Sequence, residues 1–119
     1  KTIVCIDDSP VILNALQRFI DQEKFKVTVV GDPVQAVPII FHLKPDLILL
    51  DISMPKINGY KLCSLLRVSE HGKQTPIVMV TGNTGLIDKA RAKIVGATDY
   101  LTKPFTKQGL MQIIEKYLD

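Results

Sequence analysis

The segment DLILLDISMP, residues Asp46–Pro55, sets the tightest limit on what this chain can fold into. Leu47 to Leu50 and Ile52 are apolar around a single carboxylate at Asp51, and Pro45 and Pro55 close the run at either end. The run is too short for a helix of ordinary length. Apolar on both faces, it reads as a strand buried in the middle of a parallel sheet. An aspartate where such a strand runs out lies at the carboxyl edge of the sheet, beside the core and within reach of solvent. Asp51 is therefore a candidate reactive carboxylate.

A chain of 119 residues, 46% hydrophobic and 23% charged, suits one globular domain spanning residues 1–119. No apolar run nears the roughly 20 residues that cross a bilayer, and the amino end lacks a signal-peptide pattern, so no membrane insertion is expected. The start at Lys1 reads as trimmed or processed. Cys5 and Cys63 lie in apolar runs without histidine partners and read as free, buried thiols of a cytoplasmic protein. A formal net charge of +3, spread along the chain without aromatic interleaving, gives no direct nucleic-acid surface.

Taken in order, TIVCI (Thr2–Ile6) predicts a strand that ends in the pair Asp7–Asp8. Ser9–Pro10 signals a helix start, and Ile12, Ala15, Leu16, Phe19 and Ile20 carry that helix to about Glu23. KVTVV (Lys26–Val30) is a second strand, and Asp32–Pro33 opens a second helix reaching about Leu43. Pro38 falls inside that helix, where an unadapted proline costs about 3 kcal/mol. Either the helix is kinked there or its first turn is a separate piece, and a tolerated local bend is favoured over a functional hinge.

The DLILLD strand follows as the third. Tyr60, Leu62, Cys63, Leu65 and Leu66 line a third helix that fades near Ser69. IVMVT ends a fourth strand at Thr81, and a fourth helix carries Leu86, Ile87, Ala90, Ile94 and Val95 before a cap at Gly96. Asp99–Thr102 is a fifth strand, left through Lys103–Pro104. The last helix has an inward stripe of Leu110, Ile113, Ile114, Tyr117 and Leu118. Five strands alternating with five helices predict a three-layer α/β domain around a parallel sheet.

Open parallel sheets bind ligands beyond the carboxyl ends of their strands. Asp7, Asp8, Asp51, Thr81 and Lys103 all fall at such ends, while the second strand contributes nothing. The pattern matches a sheet in the order 2-1-3-4-5. Any one of these residues alone has an ordinary explanation, such as a helix-dipole partner or a surface lysine. Together on one rim they make chemical sense. Clustered carboxylates raise one another's pKa unless a cation relieves them, and a few hard oxygen donors suit Mg2+ completed by phosphate oxygens. One carboxylate can then attack phosphorus, with a lysine and a threonine hydroxyl steadying the charge that develops.

The same residues resemble the receiver domain of two-component response regulators, a flavodoxin-like fold, over nearly the whole chain. The motifs are Asp7–Asp8, DISMP at Asp51–Pro55, Gly59, VTG at Val80–Gly82, GATDY at Gly96–Tyr100 and KPF at Lys103–Phe105. IDDSPVI, VMVTGNTG and GATDYLTKPF look closer to PatA- and PilG-like receivers associated with motility and phototaxis.

The resemblance implies phosphoryl acceptance by Asp51 from a histidine kinase or histidine phosphotransfer protein. Magnesium would be held by Asp8, Asp51 and the Ser53 backbone carbonyl, and by Asp7 through water. Lys103 would pair with the phosphoryl group, across a cis Lys103–Pro104 bond. Thr81 and Tyr100 would form the switch pair, with Ser53 and Asn83 tuning dephosphorylation. The readout would be the surface of the fourth helix, fifth strand and fifth helix, presented to an output domain or downstream protein. KPFTKQGLMQII carries none of the acidic and arginine pattern with which winged-helix members of the family pair.

Such a chain is a switch and no enzyme beyond its own phosphorylation and dephosphorylation. A flavin carrier of the same topology needs a hydroxyl- and glycine-rich phosphate loop where this chain has DDSP. A haloacid-dehalogenase-like phosphatase places a second carboxylate two residues after its nucleophile, and Asp7 has Ser9 there. A degenerate receiver, acting only as a binding module, is expected to have lost a pocket residue, and none is missing.

Overall fold

The computed structural model describes residues 1–54, 57–82 and 85–119. Its strands are β1 (Thr2–Ile6), β2 (Lys26–Val30), β3 (Leu47–Asp51), β4 (Ile77–Thr81) and β5 (Asp99–Thr102). Its helices are α1 (Pro10–Phe19), α2 (Ala36–Leu43), α3 (Gly59–Arg67), α4 (Leu86–Ile94) and α5 (Lys107–Leu118). All pairings are parallel, and the order is β2-β1-β3-β4-β5. The three-layer doubly wound sheet expected from the sequence is therefore the fold.

Every residue of β3 is buried, as the proline-bounded run requires of a central strand. Alternation along the strands divides the core in two. Ile3, Cys5, Leu47, Leu49, Val78 and Val80 face α1 and α5, where they meet Leu13, Leu16, Leu110, Ile114 and Leu118. Val4, Ile6, Ile48, Leu50, Ile77 and Met79 face the other way, toward α2, α3 and the single buried residue of α4, Ala92.

Serine, asparagine and threonine start three of the helices in the same way. Side chains of Ser9, Asn58 and Thr106 accept from the backbone N–H of Ile12, Lys61 and Gly109, taking up donors that a first helical turn leaves open.

Four details differ from the sequence reading. Helix α1 stops at Phe19 instead of running to Glu23, because the Asp21 carboxylate accepts from the Glu23 N–H and the Asp21 carbonyl from Phe25, turning the chain. Pro38 bends nothing: Pro33–Gln35 is a separate 3₁₀ turn, so Pro38 is the third residue of α2, where no intrahelical donor is needed. Helix α3 ends at Arg67, and Ser69 lies beyond it with its hydroxyl on the Leu66 carbonyl; Leu65 of the expected stripe is 44% exposed. The expected apolar stripe of α4 points outward, with Leu86 88%, Ile87 83% and Ile94 83% exposed. Periodicity reports that a helix has an apolar face, and says nothing of whether a partner covers it.

Among the described residues no helix is long and apolar enough to cross a membrane.

Candidate functional site

Asp51 is the last residue of β3 and is only 4% exposed. Asp7, one residue past β1, is 2% exposed, and its neighbour Asp8 is open to solvent. One carboxylate oxygen from each of the three lies within 4.8 Å of the others. Adjacent parallel strands β1 and β3 bring them together, since Ile6 pairs with Leu50 and the two acidic ends then leave the sheet side by side.

Gly59 closes the floor beneath them. A Cβ there would meet the Asp51 carbonyl oxygen at 2.3 Å, and the Gly59 N–H donates to the Ile52 carbonyl at 2.8 Å. Only glycine lets α3 begin so close to the strand that carries Asp51.

Lys103 follows β5, and the Lys103–Pro104 peptide bond is cis. Its ammonium donates to Asp7 Oδ2 at 2.8 Å and to Asp51 Oδ1 at 3.3 Å, while its N–H donates to the Thr81 carbonyl at 2.9 Å. The Ser53 N–H reaches Asp51 Oδ1 at 3.3 Å, and the Ser53 side chain is exposed. Thr81, ending β4, is 2% exposed. Tyr100 in β5 is half-buried, with the Lys89 ammonium 5.9 Å from its ring centroid. Asn83 lies outside the described residues, as do Pro55 and Lys56 of the DISMP loop.

Burial, and then the charge of Asp7, push the Asp51 carboxyl above the ordinary carboxylate range, against the opposing pull of Lys103 and the Ser53 N–H. Burial lowers the Lys103 ammonium, but its bonds and charge contacts with Asp7 and Asp51 outweigh this and hold it above the usual lysine value. Ionising Asp51 is thus disfavoured by burial and by Asp7 more than Lys103 and the Ser53 N–H offset. Three carboxylates offering hard oxygen atoms at this spacing fit a small divalent cation, which would offset the remainder. Beneath them Cys5 is inert, its thiol pushed up to about 12 by burial and by Asp7.

Two side chains of the surroundings escaped the sequence reading. Arg67 binds four oxygens in two connections, Gly72 and Thr75 before β4 and Gly96 and Thr98 before β5, and the Tyr60 hydroxyl reaches α4. An arginine in the last turn of a helix looks like an ordinary dipole partner. A tyrosine within an apolar stripe looks like plain core.

The response regulator receiver domain family matches residues 3–115. Protein PilG of Pseudomonas aeruginosa is 34% identical over 98% of this chain and 86% of its own length, in keeping with the PilG-like subset. The DNA-binding response regulators named MtrA are longer, and the chain spans 47% of the protein from Mycolicibacterium smegmatis and 48% of that from Mycobacterium leprae. Chemotaxis protein CheY4 of Vibrio cholerae superposes with a TM-score of 0.93 at 28% identity, covering 98% of each chain. The receiver domain of the sensor histidine kinase PA1611 from Pseudomonas aeruginosa, solved with a magnesium ion coordinated in its active-site cleft, superposes at 0.89 with 30% identity, over 98% of this chain and 96% of that one. Two acidic strand ends, a lysine leaning across them and a family match from one end of the sheet to the other agree: the chain belongs to the response regulator receiver domain family.

Proposed function

We propose that residues 1–119 act as one receiver unit in which Asp51 accepts a phosphoryl group from the histidine of a kinase or phosphotransfer protein. The observation that carries this reading is the buried Asp51 carboxylate, crowded by Asp7 and Asp8 and met by Lys103 at 3.3 Å. An Asp51 oxygen attacks phosphorus, the O–P bond forms as the N–P bond to the donor imidazole breaks, and the electron pair leaves with that nitrogen, which takes up a proton.

Asp8, Asp51 and the Ser53 carbonyl would hold a magnesium ion, with Asp7 acting through a bound water. When bound, magnesium offsets the carboxylate charge and that of the transferring group. Lys103 then has one carboxylate, Asp7, to keep it in place while its ammonium turns to the phosphoryl oxygens. The Thr81 hydroxyl donates to another of those oxygens, and Tyr100 follows into the space that Thr81 leaves. Adding roughly −1.5 to −2 charges at this rim changes the surface that α4, β5 and α5 together offer to an output domain or downstream protein. Ser53 and Asn83, two positions past Asp51 and Thr81, set how readily water reaches the acyl phosphate.

The test is titration with beryllofluoride, a phosphoryl mimic, in saturating magnesium, followed by amide NMR. The wild type should shift, Asp51→Asn should not, and an unresponsive wild type overturns the reading. Thr81→Ala should still bind the mimic while transmitting less change to α4.

Stability gives a second check on Asp51. Its carboxyl is raised in the fold, so stability is fully present below the unfolded carboxylate pKa and falls as pH rises through the folded one. At neutral pH without metal, Asp51→Asn should therefore melt higher than the wild type. Magnesium should raise the wild-type melting point and leave that of Asp51→Asn nearly unmoved.

A further inference from the structure

Helix α4 has little apolar attachment to the rest of the molecule. Ala92 is its one buried residue, and Leu86, Ile87 and Ile94 face solvent. A stripe of donors on α3 holds it instead. Tyr60, Cys63 and Arg67 are spaced i, i+3 and i+7, on one side of that helix. Each donates to a backbone carbonyl at the far side: Tyr60 Oη to Asp88 at 3.3 Å, Cys63 Sγ to Val95 at 3.5 Å and Arg67 Nε to Gly96 at 2.9 Å. The Arg91 guanidinium adds a second hold at the Tyr60 end, 4.2 Å from the ring centroid.

The two ends of this ladder differ in strength. Arg67 is itself fixed, donating also to the carbonyls of Gly72 and Thr75 at 2.6 Å and to the Thr98 hydroxyl at 3.0 Å. Gly96, with φ of +97°, packs so closely on Arg67 that a Cβ there would lie 3.1 Å from its Cγ. Among the described residues, the other end of α4, at Leu86–Asp88, is met by one long neutral hydroxyl bond and the ring contact of Arg91. A neutral hydrogen bond contributes far less than several bonds from a charged group.

We infer that α4 pivots about an anchor at Val95–Gly96 fixed by Arg67, and that Tyr60 is the latch holding its free end in the unphosphorylated position. The inference rests on the receiver reading above and adds to it the residues that set the balance between the two positions. Contacts made in one state and given up in the other bias the equilibrium by their whole strength, so removing the latch favours the activated position.

The experiment is the same magnesium and beryllofluoride titration on Tyr60→Phe, Cys63→Ala and Cys63→Ser, with amide shifts read along α4 and melting points taken alongside. Tyr60→Phe keeps the ring and loses only the hydroxyl. It should reach half-saturation at a roughly three- to tenfold lower beryllofluoride concentration, the size a single hydrogen bond sets. Cys63→Ala should move the same way by less, and Cys63→Ser, which keeps a donor, should restore the wild-type midpoint. In the wild type the shifts should be largest at Leu86–Asp88 and fade toward Val95–Gly96.

A Tyr60→Phe midpoint equal to that of the wild type, or shifts that are uniform along α4, would overturn the latch while leaving the phosphoacceptor role of Asp51 standing. A wild type that ignores beryllofluoride removes both. Should Cys63→Ala destabilise the fold, the Tyr60→Phe titration decides by itself, because no apolar contact is lost there.

Discussion

Helices α4 and α5 flank the same edge strand, β5, and they are fastened in opposite ways. Helix α5 sinks Leu110, Ile114 and Leu118 into the core against β1, β3 and β4. Helix α4 buries Ala92 alone and is held by donors from α3. Burial is non-directional and scales with area, so α5 has one deep position. Hydrogen bonds to carbonyls are directional and individually small, and a helix held that way can be reseated for a few kcal/mol. The edge of the sheet thus carries a fixed wall and a movable one side by side. That division suits the proposed role of this edge as a phosphorylation-driven surface.

The largest effect that can break this comparison comes from the fixed wall. Ile114 is fully buried. Ile114→Ala should lose about 2–5 kcal/mol of unfolding free energy, from transfer of the side chain and from the cavity it leaves. Urea denaturation monitored by circular dichroism measures it. A loss below about 1 kcal/mol would mean that α5 relaxes as freely as α4 and that the contrast is false.

A smaller effect comes from the polar clasp between α5 and β5. The Tyr117 hydroxyl and the Lys116 ammonium both donate to Asp99 Oδ2, and the Tyr100 N–H donates to Asp99 Oδ1. Burial raises the Asp99 carboxyl, but these three bonds outweigh it and hold it below the ordinary value. A depressed carboxylate contributes stability that is present above its unfolded pKa and lost as pH falls through the folded one. Tyr117→Phe should cost about 1 kcal/mol at neutral pH, below the usual range for a bond to a charged group because water reaches the carboxylate. The gap between variant and wild type should close as the pH drops below the ordinary aspartate range. A gap that persists in acid would mean that the Tyr117 hydroxyl stabilises the fold without the Asp99 charge, and the clasp would not be its source.

Much of this edge was legible in the sequence, and the reason is local. The run LILLD between two prolines permits little except a central strand, and strand ends carrying Asp7, Asp8, Asp51, Thr81 and Lys103 converge because parallel topology aligns them. The spacing of Leu110, Ile114 and Leu118 likewise identifies the buried side of α5. What stayed hidden depends on contacts between elements far apart in the chain. Arg67 reaches Thr98 across 31 positions, Tyr60 reaches Asp88 across 28, and nothing in either residue type announces its partner. The outward stripe of α4 misled for the same reason, because which side of a helix is covered is a property of its neighbours.

The smallest expected effect is therefore the most telling about α4. Ile94 is 83% exposed and Leu86 88%, so neither has apolar surface to lose on unfolding. Ile94→Ser and Leu86→Ser should each change unfolding free energy by less than about 0.5 kcal/mol, the ordinary range for surface positions. Helix propensity contributes little, since leucine, isoleucine and serine differ by only a few tenths of a kcal/mol in a helix interior. Measured at two protein concentrations tenfold apart, both variants should track the wild type. A loss near 2 kcal/mol that deepens at the higher concentration would mean that another copy covers this face in solution, because an association that stabilises the folded state scales with protomer concentration. The movable wall would then be packed after all, with its partner supplied from outside the chain.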